Sequence, residues 1–143
     1  MKTGVTLLEV LAALALLGVL LALALPRLAF LHDRLAVEQG VDRLLNAHTR
    51  ARLFAIAERR VTVLSLSADS IVIAVVEAAT DTVVRWRGPG PAADGVSTTG
   101  LPRRVVFGSA GVTIGVANGS YEVARGAARR QVIVSRYGRI RVV

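Results

Sequence analysis

From Val5 to Leu25 the chain carries 21 residues of almost pure hydrocarbon, interrupted by one full charge, Glu9. At about 1.5 Å rise per residue, a helix of this length reaches roughly 30 Å, the thickness of a bilayer's apolar core. Ten Leu and three Val favour insertion. Together they outweigh one acid near the helix end, even at a cost of about 2–3 kcal/mol. The segment is therefore expected to enter a membrane in spite of Glu9. Lys2 precedes it and Arg27 and Arg34 follow, so flanking charge alone gives no orientation.

The acid separates three readings of this run. A secretory signal cut after Ala22-Leu23-Ala24 fits the small-residue pattern, but the apolar stretch is too long and an acid inside it is unusual. A plain signal anchor leaves Glu9 incidental. The third reading takes Gly4-Val5-Thr6-Leu7-Leu8-Glu9 as one unit behind the short basic leader Met1–Gly4. That unit resembles the class III leader of type IV prepilins and pseudopilins. The resemblance implies cleavage between Gly4 and Val5 by a prepilin peptidase on the cytoplasmic face, with N-methylation of Val5. It also gives Glu9 a purpose, as the partner of a neighbouring subunit's terminal amine within hydrocarbon during filament assembly. A charge in lipid is tolerated when it is paired. Gly18 and Pro26 stand where pilins carry a glycine and a helix-distorting proline, whereas Val5 replaces the more usual Phe.

Beyond the anchor, Val37, Val41, Leu44, His48, Ala51 and Ala55 recur at three- and four-residue steps, the stripe of an amphipathic helix over 26–60. Gly40 is expected to weaken its middle. After Arg60 the period becomes that of strands, over 61–66, 71–76 and 82–87, with Val84 and Trp86 on one face of the third. Residues 88–103 hold three Pro and four Gly and read as a long exposed loop. Strands resume at 104–107, 112–117 and 120–124. The last two flank Asn118-Gly119, a hairpin signal. Segments 131–135 and 139–143, joined across Tyr137-Gly138, complete the chain. The organisation is then leader 1–4, transmembrane helix 5–25, amphipathic helix 26–60 and a β-rich head 61–143.

Arg50-Ala51-Arg52, Ala55-Ile56-Ala57, the strand that follows, and the ending Arg129–Ser135 with Gly138-Arg139-Ile140-Arg141 look like the GspH/FimT group of minor pilins. The resemblance implies an α+β fold, a long N-terminal helix packed on a C-terminal antiparallel β-sandwich. It implies a non-catalytic role as a minor pseudopilin of a type II secretion system or a minor pilin of a type IV pilus. The chain would sit in the inner membrane with its head in the periplasm, among other pseudopilins.

Other chemistry finds little support. There is no cysteine, which excludes disulfides and thiolate metal sites. His32 and His48 lie 16 residues apart without a third ligand, and Gly108-Ser109-Ala110-Gly111 misses the nucleophile-elbow spacing. No cofactor is expected. The net charge of +8 comes from 18 Lys+Arg, nearly all Arg, against 10 Asp+Glu, and no acid follows Glu122. Arg139 and Arg141 share a strand face, and with Arg130 and Arg136 they are the candidate contacts for DNA phosphates. FimT-type relatives bind DNA through such an ending, which the resemblance offers as an alternative function. The expected function is a GspH-like minor pseudopilin. A FimT-like DNA-binding minor pilin is the first alternative, and a signal-anchored periplasmic β-sandwich binding protein is the second.

Overall fold

A computed structural model describes residues 6–78 and 81–143, so the predicted cleavage site at Gly4 and Val5 lies outside the described residues. Helix α1 runs Leu7–Glu58, and the chain divides into two compact units, the first reaching His32 and the second covering Asp33–Val143. In the first unit every described residue up to Leu31 is exposed, and its most apolar 18-residue window has a mean hydropathy of 2.6. By length and composition it can cross a membrane. Pro26 lies inside the helix, and nothing approaches within 4 Å of a Cβ built on Gly18.

In the second unit the predicted stripe is the buried one. Val37, Val41, Leu44, His48, Ala51 and Ala55 are all buried, joined by Ala36, Gly40 and Ala47. Two antiparallel sheets complete the unit. One takes β1 (Thr62–Leu66), β2 (Ser70–Val76), β3 (Thr82–Pro89), β5 (Arg103–Phe107) and β6 (Thr113–Ile114), in the order β3-β2-β1-β5-β6. The other takes β4 (Ser97–Thr99), β7 (Gly119–Arg125), β8 (Ala128–Val134) and β9 (Ile140–Val142), in the order β4-β7-β8-β9. The inner faces of both sheets and the helix stripe share one core, with Leu64, Ile71, Ile73 and Phe107 from the first sheet and Tyr121, Val123 and Val132 from the second. This is the expected α+β arrangement.

Three local expectations are corrected, and Gly40 gains a packing reason. Residues 88–103 are ordered rather than an open loop: a 3-10 turn at Pro91–Asp94 leads into β4, which pairs with β7, and Gly90, Pro91 and Val96 are buried. Asn118-Gly119 joins no hairpin, because β6 pairs with β5 while β7 pairs with β4 and β8, so the chain crosses there between sheets. The tight hairpin is the β7–β8 one, where Gly126 has φ 54. Gly40 is a packing position, with Val96 and Val123 lying where its side chain would stand. Finally, β3 contains a bulge. Ile73 pairs with Trp86 but Ala74 pairs with Val84, which leaves Arg85 as the extra residue and puts Val84 and Trp86 on opposite faces. The bulge lets two successive side chains reach α1: Arg85 bonds Glu58, and Arg50 stacks 4.8 Å over the Trp86 ring.

Candidate functional site

Glu9 lies in the first turn of α1, one residue beyond the first full helical positions, and is exposed. Its backbone N–H meets both the carbonyl (3.1 Å) and the hydroxyl (3.3 Å) of Thr6. Thr6-Leu7-Leu8-Glu9 is thus a helix N-cap with an acid three residues on, the spacing of a capping box. In hydrocarbon no water can satisfy a helix's first N–H groups, so a hydroxyl supplied there is worth more than in solvent. An acid in the first turn also complements the helix dipole. The same residues satisfy the leader pattern, yet Ser/Thr followed three residues later by Glu is also the sequence signal of a cap.

The C-terminal arginines divide by strand face. In the second sheet Ala128, Val132 and Val134 point inward, and Arg130 shares that parity. Its Nε donates to Glu38 of α1 at 3.1 Å, so Arg130 links the sheet to the helix and its charge is matched by an acid, whereas Arg139 and Arg141 have no ion-pair partner among the described residues. Arg141 stands opposite Ile133, which faces outward, and Arg139 opposite Ser135. Both arginines are exposed, as the alternation predicts. Arg129, also outward, joins them with Glu122 only at 3.9 Å. Arg136 sits exposed in the β8–β9 turn, where its carbonyl accepts from the Thr113 hydroxyl. The outer face of this sheet is otherwise Ser, Thr, Gln and Ala with Ile133 and Val143, a polar surface over which three guanidinium groups are spread. Such a surface can meet phosphates without reading bases.

His48 is a core residue. Its Nδ1 donates to the Leu44 carbonyl at 2.9 Å, which leaves Nε2 to accept from the Tyr121 hydroxyl at 3.4 Å. Burial holds the imidazole below its ordinary pKa, partly offset by the Leu44 carbonyl and reinforced by the Arg103 charge. Burial likewise pushes the Tyr121 phenol up to about 12, against the opposing Arg103 guanidinium 5.7 Å from its ring. Among the described residues no three His, Cys, Asp or Glu side chains gather as a metal set.

The geometry agrees with solved structures of one protein. The type IV minor pilin FimU of Pseudomonas aeruginosa superposes with a TM-score of 0.62 at 16% identity, over 77% of this chain and 90% of that one. The chain has a type IV pilin-like fold. A second crystal form of FimU gives a TM-score of 0.58 at 14% identity, over 74% and 91% of the two chains. The pilin-like protein PilA1 of Thermus thermophilus is 53% identical over 55 residues. That match takes in 38% of this chain and about a third, 34%, of the relative's length. No model of a known protein family matches the chain. A single long helix whose apolar first part is compatible with one membrane crossing, followed by a two-sheet head, is the pilin-like plan.

Proposed function

We propose that this chain is a membrane-anchored minor subunit of a type IV pilin-like filament, of the GspH/FimT kind, and a structural component rather than an enzyme. The observation that carries it is one helix that begins with the Thr6 cap and Glu9, is exposed and apolar to Leu25, and whose later residues are part of the core of a pilin-type head. An exposed apolar helix needs lipid or neighbouring helices, and a filament built from such helices supplies the second after the membrane has supplied the first. The leader pattern supports peptidase processing between Gly4 and Val5, inner-membrane residence and N-methylation. A type II secretion pseudopilus and a type IV pilus both use this plan, and the likeness to a type IV minor pilin is one of fold, shared by both.

Glu9 provides the test, because capping and charge pairing ask different things of it. Glu9→Gln keeps a side chain suited to the cap and removes the charge, whereas Glu9→Leu removes both. Assembly by amine pairing predicts that both variants insert into the membrane and neither co-purifies with the filament. Normal incorporation of Glu9→Gln would sink the pairing role, since the charge would then be dispensable. Mass spectrometry of the mature terminus is the companion measurement, with a methylated Val5 expected.

The outward arginines favour a second reading, in which the pilus subunit also captures DNA. Arg129, Arg139 and Arg141 share a polar sheet face with one acid, Glu122, among them.

A further inference from the structure

The outer faces of the two sheets differ in kind, and only one suits water. On the five-stranded sheet, the pairing register places Val84, Ala74, Val63, Val106 and Ile114 in one unbroken row across all five strands. All point away from α1, since the alternate residues Leu64, Ile73 and Val105 lie in the core. Val84 and Ile114, at the two ends of the row, are 50% and 54% exposed, Ala74 and Val106 are half-buried, and Val63 at the centre is 6% exposed. Flanking rows add Val72 and Val76 from β2, whose run Ile71–Val76 is therefore aliphatic on both faces. An antiparallel strand with one solvated face alternates apolar and polar residues; a strand apolar on both sides belongs between two layers. Among the described residues only the inner layer is present.

We propose that this face packs against the same face of a second copy of the chain. Five strands about 4.8 Å apart and three rows about 6.8 Å apart give a footprint of roughly 500 Å² per copy. Two copies together reach about 1,000 Å², the lower limit for a specific interface. Charge selects the symmetry. Arg87 and Arg104 flank Val72 and Ser65 at one end of the face, and Asp81 stands at the opposite end beside Thr82. None of the three has an ion-pair partner among the described residues. A two-fold axis along the aliphatic row sets each of its side chains against its own counterpart and brings Arg87 of one copy toward Asp81 of the other. This is an isologous, closing contact between stacked sheets. It is independent of the filament assignment, because it concerns the head's outer sheet face and not Glu9 or the anchor.

Sedimentation equilibrium of the full-length chain in nonionic detergent tests it. The chain should reversibly dimerise, and the double substitution Val84→Lys with Ile114→Lys should raise the dissociation constant by at least about tenfold. Val116→Lys, at an exposed apolar residue off this row, should leave dimerisation unchanged. Asp81→Arg should weaken the dimer, and adding Arg87→Asp should restore it. These last two changes are on exposed side chains and carry the test if the lysine substitutions impair folding. Because the chain has no cysteine, Ala74→Cys gives a single thiol that a short bis-maleimide should link to its own counterpart. A chain that stays monomeric at every concentration overturns the proposal. So does a dimer indifferent to Val84→Lys with Ile114→Lys, which would place the contact elsewhere, for example on the anchor helix.

Discussion

Gly40 of α1 and Val96 after the 3-10 turn are so close that a Cβ on residue 40 would stand 2.9 Å from Val96 Cγ2 and 3.1 Å from Val123 Cγ1. The helix is drawn onto the four-stranded sheet at this one residue without a side chain. Two opposing effects meet here. Alanine would gain about 1 kcal/mol of helix propensity over glycine, yet β-branched valines are stiff and cannot swing aside. Gly40→Leu inserts far more volume and should destabilise the head by about 1–3 kcal/mol or more through overpacking. Urea denaturation followed by the fluorescence of Trp86, the single tryptophan, measures it. A neutral Gly40→Leu would mean that the helix and sheet are less tightly packed than described.

His48 makes stability depend on pH. Its folded pKa lies below the ordinary value of about 6.5, chiefly through burial. As pH falls below about 6.5 the unfolded chain takes up a proton that the folded chain refuses, so the stabilisation present above that pH is lost on acidification. The loss continues until the folded imidazole itself titrates. His48→Gln should flatten this stretch of the stability curve. The expected result is a wild type that loses more stability than the variant between pH 7.5 and 5, with a difference of at most about 1.4 kcal/mol per pH unit. Parallel curves would exclude His48 as the titrating group.

Helix α1 ends on an arginine in a glycine's conformation. Arg59 has φ 51, the Arg60 N–H bonds the Ala55 carbonyl, and the Arg59 N–H bonds the Ile56 carbonyl. This is the paired bonding of a Schellman end. Left-handed backbone costs a residue with a Cβ about 1 kcal/mol. Arg59→Gly should therefore stabilise the head by somewhat under that amount, offset in part by a more flexible unfolded chain. A rise in melting temperature is the expected reading. A fall would show that the Arg59 side chain contributes contacts of its own.

What was legible in the sequence was what local periodicity encodes. The stripe from Val37 to Ala55 and the β-branched runs at Thr62–Leu66 and Ser70–Val76 needed no tertiary information, because spacing alone sets which side chains share a face. Strand pairing was not legible. Asn118-Gly119 carries hairpin chemistry, yet β7 is claimed by β4 and β8, and this pairing overrides the turn. Trp86 and Val84 parted because a bulge at Arg85 lets that residue reach Glu58, 27 positions earlier. Arg130 stands among the candidate DNA contacts by its position near the chain's end, and its ion pair with Glu38, 92 residues away, is not encoded in local spacing. The Thr6 cap, by contrast, was readable and was missed, since the same residues already fitted a leader.

Arg139 and Arg141 carry the question of whether this chain binds DNA. If it does, affinity should fall steeply with salt as each neutralised phosphate releases counterions, with little sequence preference. Changing both residues to Gln keeps polar side chains on the outer face and removes two charges. The slope of log affinity against log salt should then drop by about two, at roughly one per phosphate contact. Arg130→Gln offers an internal contrast. Its guanidinium is already paired with Glu38, so the change should lower stability modestly and leave the salt slope nearly intact. A gel-shift titration of the full chain at two salt concentrations, run on all three proteins, reads both effects. Equal slopes for wild type and the double variant would remove the DNA reading and leave the arginines as a solvated sheet face.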